Sequence, residues 1–216
     1  MEQQLRTALV VMAKQLGKLG LNHGTAGNLS VRCHDGMLIT PSGMSSDDLG
    51  EDDLVWVRMS GEQRGRWRAS SEWRFHRDIL LARPEFNAII HTHAVAASTL
   101  ACLRRDIPAF HYMVALLGGD NIRCADYATF GTQALSDHAL TALRDRRACL
   151  LANHGMIAAG RTLEEALKYT VEVENLSEIY LRILKTGLPP ILLTRAEFAA
   201  AQAKFVAYGQ VQAADV

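Results

Sequence analysis

The sequence lacks a charge surplus, a cysteine framework and any apolar run of membrane-spanning length, and each lack removes a class of function. Lysine plus arginine number 23 and aspartate plus glutamate 23, so the formal charge is zero. A dedicated nucleic-acid binder draws affinity from counterions that its basic surplus releases from phosphates; this chain has no such surplus. Its one dense basic stretch, Arg64-Gly65-Arg66-Trp67-Arg68, reads as a solvated turn. No apolar run approaches the roughly 18–20 residues that cross a bilayer, and Met1-Glu2-Gln3-Gln4-Leu5-Arg6 has neither the basic start nor the apolar centre of a secretory signal. The four cysteines, Cys33, Cys102, Cys124 and Cys149, form no C-x-x-C pair. Three sit beside aliphatic residues and read as buried, reduced thiols of a cytoplasmic protein.

What the chain does have is an ordinary globular balance, with 49% hydrophobic and 21% charged residues over 216 positions. Residues 1–216 are expected to form a single domain with a core of its own. Leu5, Leu9, Met12, Leu16 and Leu19 recur at helical spacing in the first segment. Short β-like runs follow at Asn28–Arg32, Met37–Thr40 and Leu54–Arg58, with Asp35-Gly36 as a hairpin signal. Ser70-Ser71-Glu72 opens a helix that Pro84 stops. Ala88–His93 reads as a strand, Ala94 to Leu103 and Thr132 to Arg144 as helices, and Ala148–Ala152 as a second aliphatic strand. Thr162 with Glu165 and Thr194 with Glu197 have the spacing of capping boxes opening the last two helices. This order of elements predicts a sheet with helices on both faces.

The chemistry concentrates in His91-Thr92-His93. Residues two apart on a strand project from one face, so both imidazoles can reach one ion. A tetrahedral Zn²⁺ needs a third protein ligand and, in a catalytic site, one open position. His154 follows the other aliphatic strand and is the natural third, with Gly155 leaving backbone room behind it. Glu72 is an acidic residue at a helix start, where a dipole-favoured cap and a metal-ligating acid/base are both open readings. Ser70 and Ser71 at that helix start, with the loops Thr25–Ser30 and Thr40-Pro41-Ser42-Gly43, offer amides and hydroxyls to a phosphate. His23, His34, His76, His111 and His138 lack metal spacing and read as structural or surface residues.

Taken together, Thr25–Ser30, Leu38–Gly43, Ser70–His76, His91-Thr92-His93-Ala94, His111-Tyr112-Met113, Tyr127–Thr132 and Asn153-His154-Gly155 make the chain resemble the class II, zinc-dependent aldolase family along nearly its whole length. The resemblance implies a three-layer α/β/α, adducin-like fold with a central, mainly antiparallel sheet. It implies one Zn²⁺ per subunit and a homotetramer with active sites between subunits. By the same carry-over His91, His93, His154 and Glu72 hold the metal, and Glu72, Tyr112 and Tyr208 are catalytic. Thr25, Gly27, Asn28, Ser42, Gly43, Ser70 and Ser71 match the phosphate end, and Phe130 and Phe205 the aldehyde end. An adducin-head-like scaffold would share the fold but lack the histidines, which are all present here. The implied reaction is reversible cleavage of a ketose 1-phosphate to dihydroxyacetone phosphate and a short aldehyde. L-Fuculose 1-phosphate, giving L-lactaldehyde, is the first expectation; 5-deoxyribulose or 5-(methylthio)ribulose 1-phosphate is the alternative. The partners implied are a small sugar phosphate and further copies of the chain, with no nucleic acid and no membrane.

Overall fold

The computed structural model describes residues 2–207; Tyr208 lies outside the described residues. Helix α1 (Glu2–Lys18) forms where the apolar spacing predicts it and buries Leu9, Met12 and Leu16. Leu19 falls beyond its end and stays exposed. Strands β1 (Asn28–Cys33), β2 (Gly36–Ile39) and β3 (Val55–Arg58) pair antiparallel, and the short β4 (Gln63–Arg64) closes that edge. The first hairpin is shifted by one residue from its signal. His34 and Asp35 make the turn, with φ 53° at His34, while Gly36 already pairs with Cys33. Of the basic stretch, Arg64 ends β4 and residues 64–68 are all exposed.

Helix α2 (Trp73–Ala82) then crosses the sheet and ends before Pro84. Strand β5 (Ala88–Thr92) lies at the centre, with α3 (Val95–Cys102) directly after it. Ala94, at the start of α3, has no capping side chain; the Glu174 carboxylate accepts from the Ala96 and Ala97 N–H groups instead, at 2.8 and 2.9 Å. The two-residue strands β6 (Ile107–Pro108) and β7 (Asn121–Ile122) pair with each other outside the main sheet. Between them Tyr112–Leu117 forms a 3₁₀ turn. Strand β8 (Cys124–Ala125), helix α4 (Gln133–Ala142), strands β9 (Ala148–Leu151) and β10 (Gly155–Gly160), and helices α5 (Leu163–Lys185) and α6 (Arg195–Ala207) complete the described chain.

The main sheet has the order β4-β3-β2-β1-β5-β10-β9-β8, antiparallel throughout except for β8 beside β9. Side chains alternate strictly across it. Met37, Ile39, Ile89, Cys149, Leu151 and Ile157 pack against α2 and α4. Leu29, Val31, Leu38 and Ile90 pack toward α1 and α5, and Leu150, Met156 and Ala158 toward α3 and α5. Both faces are therefore dry, which explains the continuous aliphatic runs. The three-layer, mainly antiparallel architecture expected from the resemblance is the one present.

Two local expectations are corrected. Glu165 does not close its capping box on Thr162: Thr162 accepts from the Glu165 N–H, but the carboxylate accepts from the Arg161 N–H at 2.6 Å. The second box, Thr194 with Glu197, is reciprocal. Among the cysteines, Cys33 and Cys149 are buried, Cys124 is half-buried and Cys102 is exposed, because Cys102 ends α3 on its outer side. All four are free thiols. Among the described residues, no helix is long and apolar enough to cross a membrane.

Candidate active site

The sheet alternation that buries Ile89 also carries His91 to the α2 side, where its ring meets Phe75 edge-on at 5.5 Å. Thr92 projects to the other face and is fully buried there. His93 is one residue beyond the strand, and His154 sits in the three-residue turn between β9 and β10. Asn153 makes that turn possible by adopting φ 54°, a left-handed conformation that asparagine tolerates better than most residues. Gly155 follows as the first residue of β10, against the end of β5. A Cβ there would stand 2.4 Å from the Thr92 carbonyl oxygen and 3.0 Å from the His93 ring.

These turns bring the three imidazoles together. One ligand nitrogen from each of His91, His93 and His154 falls within 4.8 Å of the others, and the Nε2 atoms of His91 and His93 are 3.1 Å apart. Glu72 joins them. Its Oε2 is 3.2 Å from His91 Nε2 and its Oε1 is 3.3 Å from His154 Nε2. The capping reading is not the one seen: Glu72 stands just before α2 and makes no side-chain capping bond. Its backbone N–H is served by Ser70 Oγ instead.

The donor set fits a divalent metal. His91 Nδ1 lies 2.9 Å from the Met156 carbonyl oxygen. A carbonyl only accepts, so Nδ1 carries the proton and Nε2 keeps a bare lone pair toward the cluster. Glu72 Oε1 is buried with no hydrogen-bond partner, an orphaned acceptor that a cation would satisfy. Three imidazole nitrogens and a carboxylate oxygen are ligands that suit zinc and its neighbours.

Burial also keeps the rings neutral and ready to ligate. It pushes His91 down to about 3, with the nearby His93 adding to the effect and the Met156 carbonyl opposing it. It pushes His154 down to about 4, where repulsion from His91 adds and attraction to Glu72 opposes. His93 is lowered by the same desolvation. The short His154–Glu72 contact is therefore no ion pair at neutral pH, since desolvation outweighs the carboxylate's pull. Unfolded, these histidines titrate near 6.5. Below that pH the unfolded chain takes up protons that the folded chain refuses, so acid favours unfolding; above it both states are neutral and the effect vanishes. The metal-free protein should lose stability as the pH falls below 6.5, by about 1.4 kcal/mol per pH unit for each fully buried ring. Denaturant melts at several pH values between about 7 and about 4.5 check this; an unchanged midpoint would contradict it.

A cavity of about 360 Å³ opens beside the cluster. Thr25, Gly27, Asn28, Ser42, Gly43, Ser70, Ser71 and Phe130 all line it, together with Glu72, His93 and His154. Gly27 holds φ 76°, and a Cβ there would overlap the Asn22 side chain. His91 lies beneath the floor, fully buried. Tyr127 and Asn153 also face the cavity; Tyr127 was legible only as part of the Tyr127–Thr132 segment.

Two expected residues are not brought to this cavity within one chain. Tyr112 is exposed at the start of its 3₁₀ turn and stacks on Phe205 of α6, with ring centroids 6.2 Å apart. Phe205 lines a different depression, near Arg147 and Tyr169. His76, read as structural or surface, is fully buried and bonded into the site through Asn28.

Comparison with known proteins adds to this geometry. The family described as class II aldolase and adducin N-terminal domain matches residues 7–181. A Rhodospirillum rubrum protein named 5-methylthioribulose-1-phosphate/5-deoxyribulose-1-phosphate aldolase is 56% identical over 205 residues, covering 95% of this chain and 92% of that protein. The Escherichia coli K12 L-fuculose phosphate aldolase is 45% identical over 206 residues, covering 95% and 96%. A solved structure of an L-fuculose 1-phosphate aldolase superposes with a TM-score of 0.90 at 38% identity, covering 94% of this chain and 96% of that one.

Proposed function

The chain belongs to the class II aldolase and adducin N-terminal domain family and is an enzyme of the class II aldolase type, and on that footing we propose that it cleaves a ketose 1-phosphate, with zinc, to dihydroxyacetone phosphate and a short aldehyde. The observation that carries this reading is the convergence of His91, His93, His154 and Glu72 beside a cavity walled by phosphate-suited loops. When bound, the ion supplies Lewis acidity that offsets the negative charge developing on the substrate's oxygens.

The remaining chemistry falls to the protein's own side chains. The Thr25–Asn28 loop, Ser42-Gly43 and Ser70-Ser71 grip the phosphate, far from the bond that breaks, and fix the substrate's orientation. Glu72 returns a proton to the carbon that becomes the hydroxymethyl group of dihydroxyacetone phosphate, and removes it in the reverse direction. Tyr112 exchanges the proton on the C4 oxygen, and Phe205 and Tyr208 join Phe130 at the aldehyde end. We assign Tyr112 and Phe205 to a neighbouring subunit's site in a homotetramer. Support comes from the exposure of Tyr112 and its stack on Phe205, away from the cavity of its own chain. A cytoplasmic setting suits the four free thiols.

For the aldehyde end we favour 5-(methylthio)ribulose and 5-deoxyribulose 1-phosphate. The 56% identity to the Rhodospirillum rubrum protein supports this, as do Tyr127 and Phe130 at the cavity wall, where a thioether finds aromatic surface. L-Fuculose 1-phosphate is the second reading, favoured by the 45% identity and the close superposition. We expect kcat/KM for 5-(methylthio)ribulose 1-phosphate to exceed that for L-fuculose 1-phosphate. A higher value for L-fuculose 1-phosphate would reverse the order.

A further inference from the structure

Behind Glu72 runs a buried chain of hydrogen bonds that ends in groups with no metal or substrate to touch. Asn28 Nδ2 is 2.8 Å from Glu72 Oε2. Asn28 Oδ1 is 2.5 Å from His76 Nε2, and His76 Nδ1 is 2.7 Å from Ser30 Oγ. Asn28, Ser30, Glu72 and His76 are all buried, Ser30 and His76 completely. Their placement follows from the two periods of the fold. Asn28 and Ser30 alternate on one face of β1, with Asn28 in register with His91 of β5. His76 lies one helical turn after Glu72, on the buried face of α2, and its ring stacks on Phe75 at 4.6 Å.

The direction of every bond in this chain is set from its carboxylate end. An ionised carboxylate only accepts, so Asn28 must turn its NH₂ toward Glu72 and its carbonyl oxygen toward His76. That oxygen only accepts, so His76 must carry its proton on Nε2. Nδ1 is then bare and accepts from the Ser30 hydroxyl. Each donor thus points toward Glu72, and reversing any one of them leaves a buried acceptor facing another acceptor.

We propose that His76 is a positioning residue, which with Ser30 locks the Asn28 amide in the orientation that holds Glu72 Oε2 against the metal cluster. The Nε2–H bond performs this role, and ring packing on Phe75 is incidental to it. This rests on Glu72 being the ligand and acid/base of the proposed reaction, but the bond order can be tested apart from it.

The test is a pair of substitutions that separate the donor from the ring. His76→Gln places an amide NH₂ near the former Nε2 without the ring; His76→Phe keeps a stacked ring without the donor. With both proteins zinc-loaded and normalised to wild type, His76→Gln should stay within about fivefold in kcat. His76→Phe should fall at least about tenfold in kcat, with KM little changed. A Phe variant as active as the Gln variant, or more so, overturns the proposal. Should His76→Phe not fold, Ser30→Ala takes its place and should lower kcat about three- to tenfold at unchanged KM; wild-type activity would overturn the proposal. A second readout needs no activity. In wild-type protein labelled with nitrogen-15 at histidine, the ring shifts of His76 should mark Nε2 as protonated and Nδ1 as bare. The opposite tautomer overturns the proposal even if the aldolase reading stands, and failure of wild type to cleave any ketose phosphate leaves this tautomer test intact.

Discussion

Replacing His91 by alanine is expected to abolish metal retention and with it at least about a thousandfold of cleavage activity, since Lewis-acid stabilisation is worth several kcal/mol and each ~1.4 kcal/mol is tenfold in rate. The cause is geometric. His91 is fully buried at the floor of the cluster, and its Nε2 is the atom that both His93 Nε2 and Glu72 Oε2 approach, at 3.1 and 3.2 Å. Without it two imidazoles and one carboxylate remain, and water must enter a pocket closed by Phe75. His154→Ala should act likewise, with a smaller loss of stability because His154 is only half-buried in its turn. Elemental analysis after gel filtration checks both. Stoichiometric metal in either variant would show that the histidine is not a ligand.

Glu72→Gln carries the second large effect, in a different observable. Gln keeps the shape and one carbonyl oxygen, so the three imidazoles should still retain metal. Proton exchange at the hydroxymethyl carbon of dihydroxyacetone phosphate should fall by about three orders of magnitude, the middle of the range for losing a general base. The amide's carbonyl oxygen can still accept from Asn28 Nδ2, where Glu72 Oε2 stands at 2.8 Å, so the loss reports the missing base. Solvent deuterium exchange followed by NMR gives the rate. Undiminished exchange would place the base elsewhere.

Much of this site is legible in the sequence because it sits where periodicity ends. His91 and His93 share a face by the two-residue repeat of a strand, and His154 follows the second aliphatic run, so their convergence follows once β5 and β10 are paired. Glu72 is ambiguous for a physical reason: a carboxylate before a helix is stabilised there whether or not it has chemistry to do. Its partners are distant in sequence and so not legible beside it: Asn28 on β1 is 44 residues away, and His91 and His154 come from β5 and the turn before β10. His76 escapes because a lone histidine on the buried face of α2 looks like core. The signal was its spacing of four residues from Glu72, one turn along the same face. Strand β10, Gly-Met-Ile-Ala-Ala-Gly, escapes because its two alanines and flanking glycines carry little strand character, although it is wholly buried and pairs with β5 inside the sheet. Tyr112 and Phe205 could be matched to roles but not to places, because a single chain does not bring them to the cavity.

The most direct measurement is a metal titration of the chelator-stripped wild-type protein, scored by release of dihydroxyacetone phosphate from 5-(methylthio)ribulose 1-phosphate. The account predicts negligible cleavage before addition and a linear recovery that breaks at one zinc per chain, with no recovery in His91→Ala. Full activity in the stripped protein, or a break unrelated to chain concentration, would contradict it.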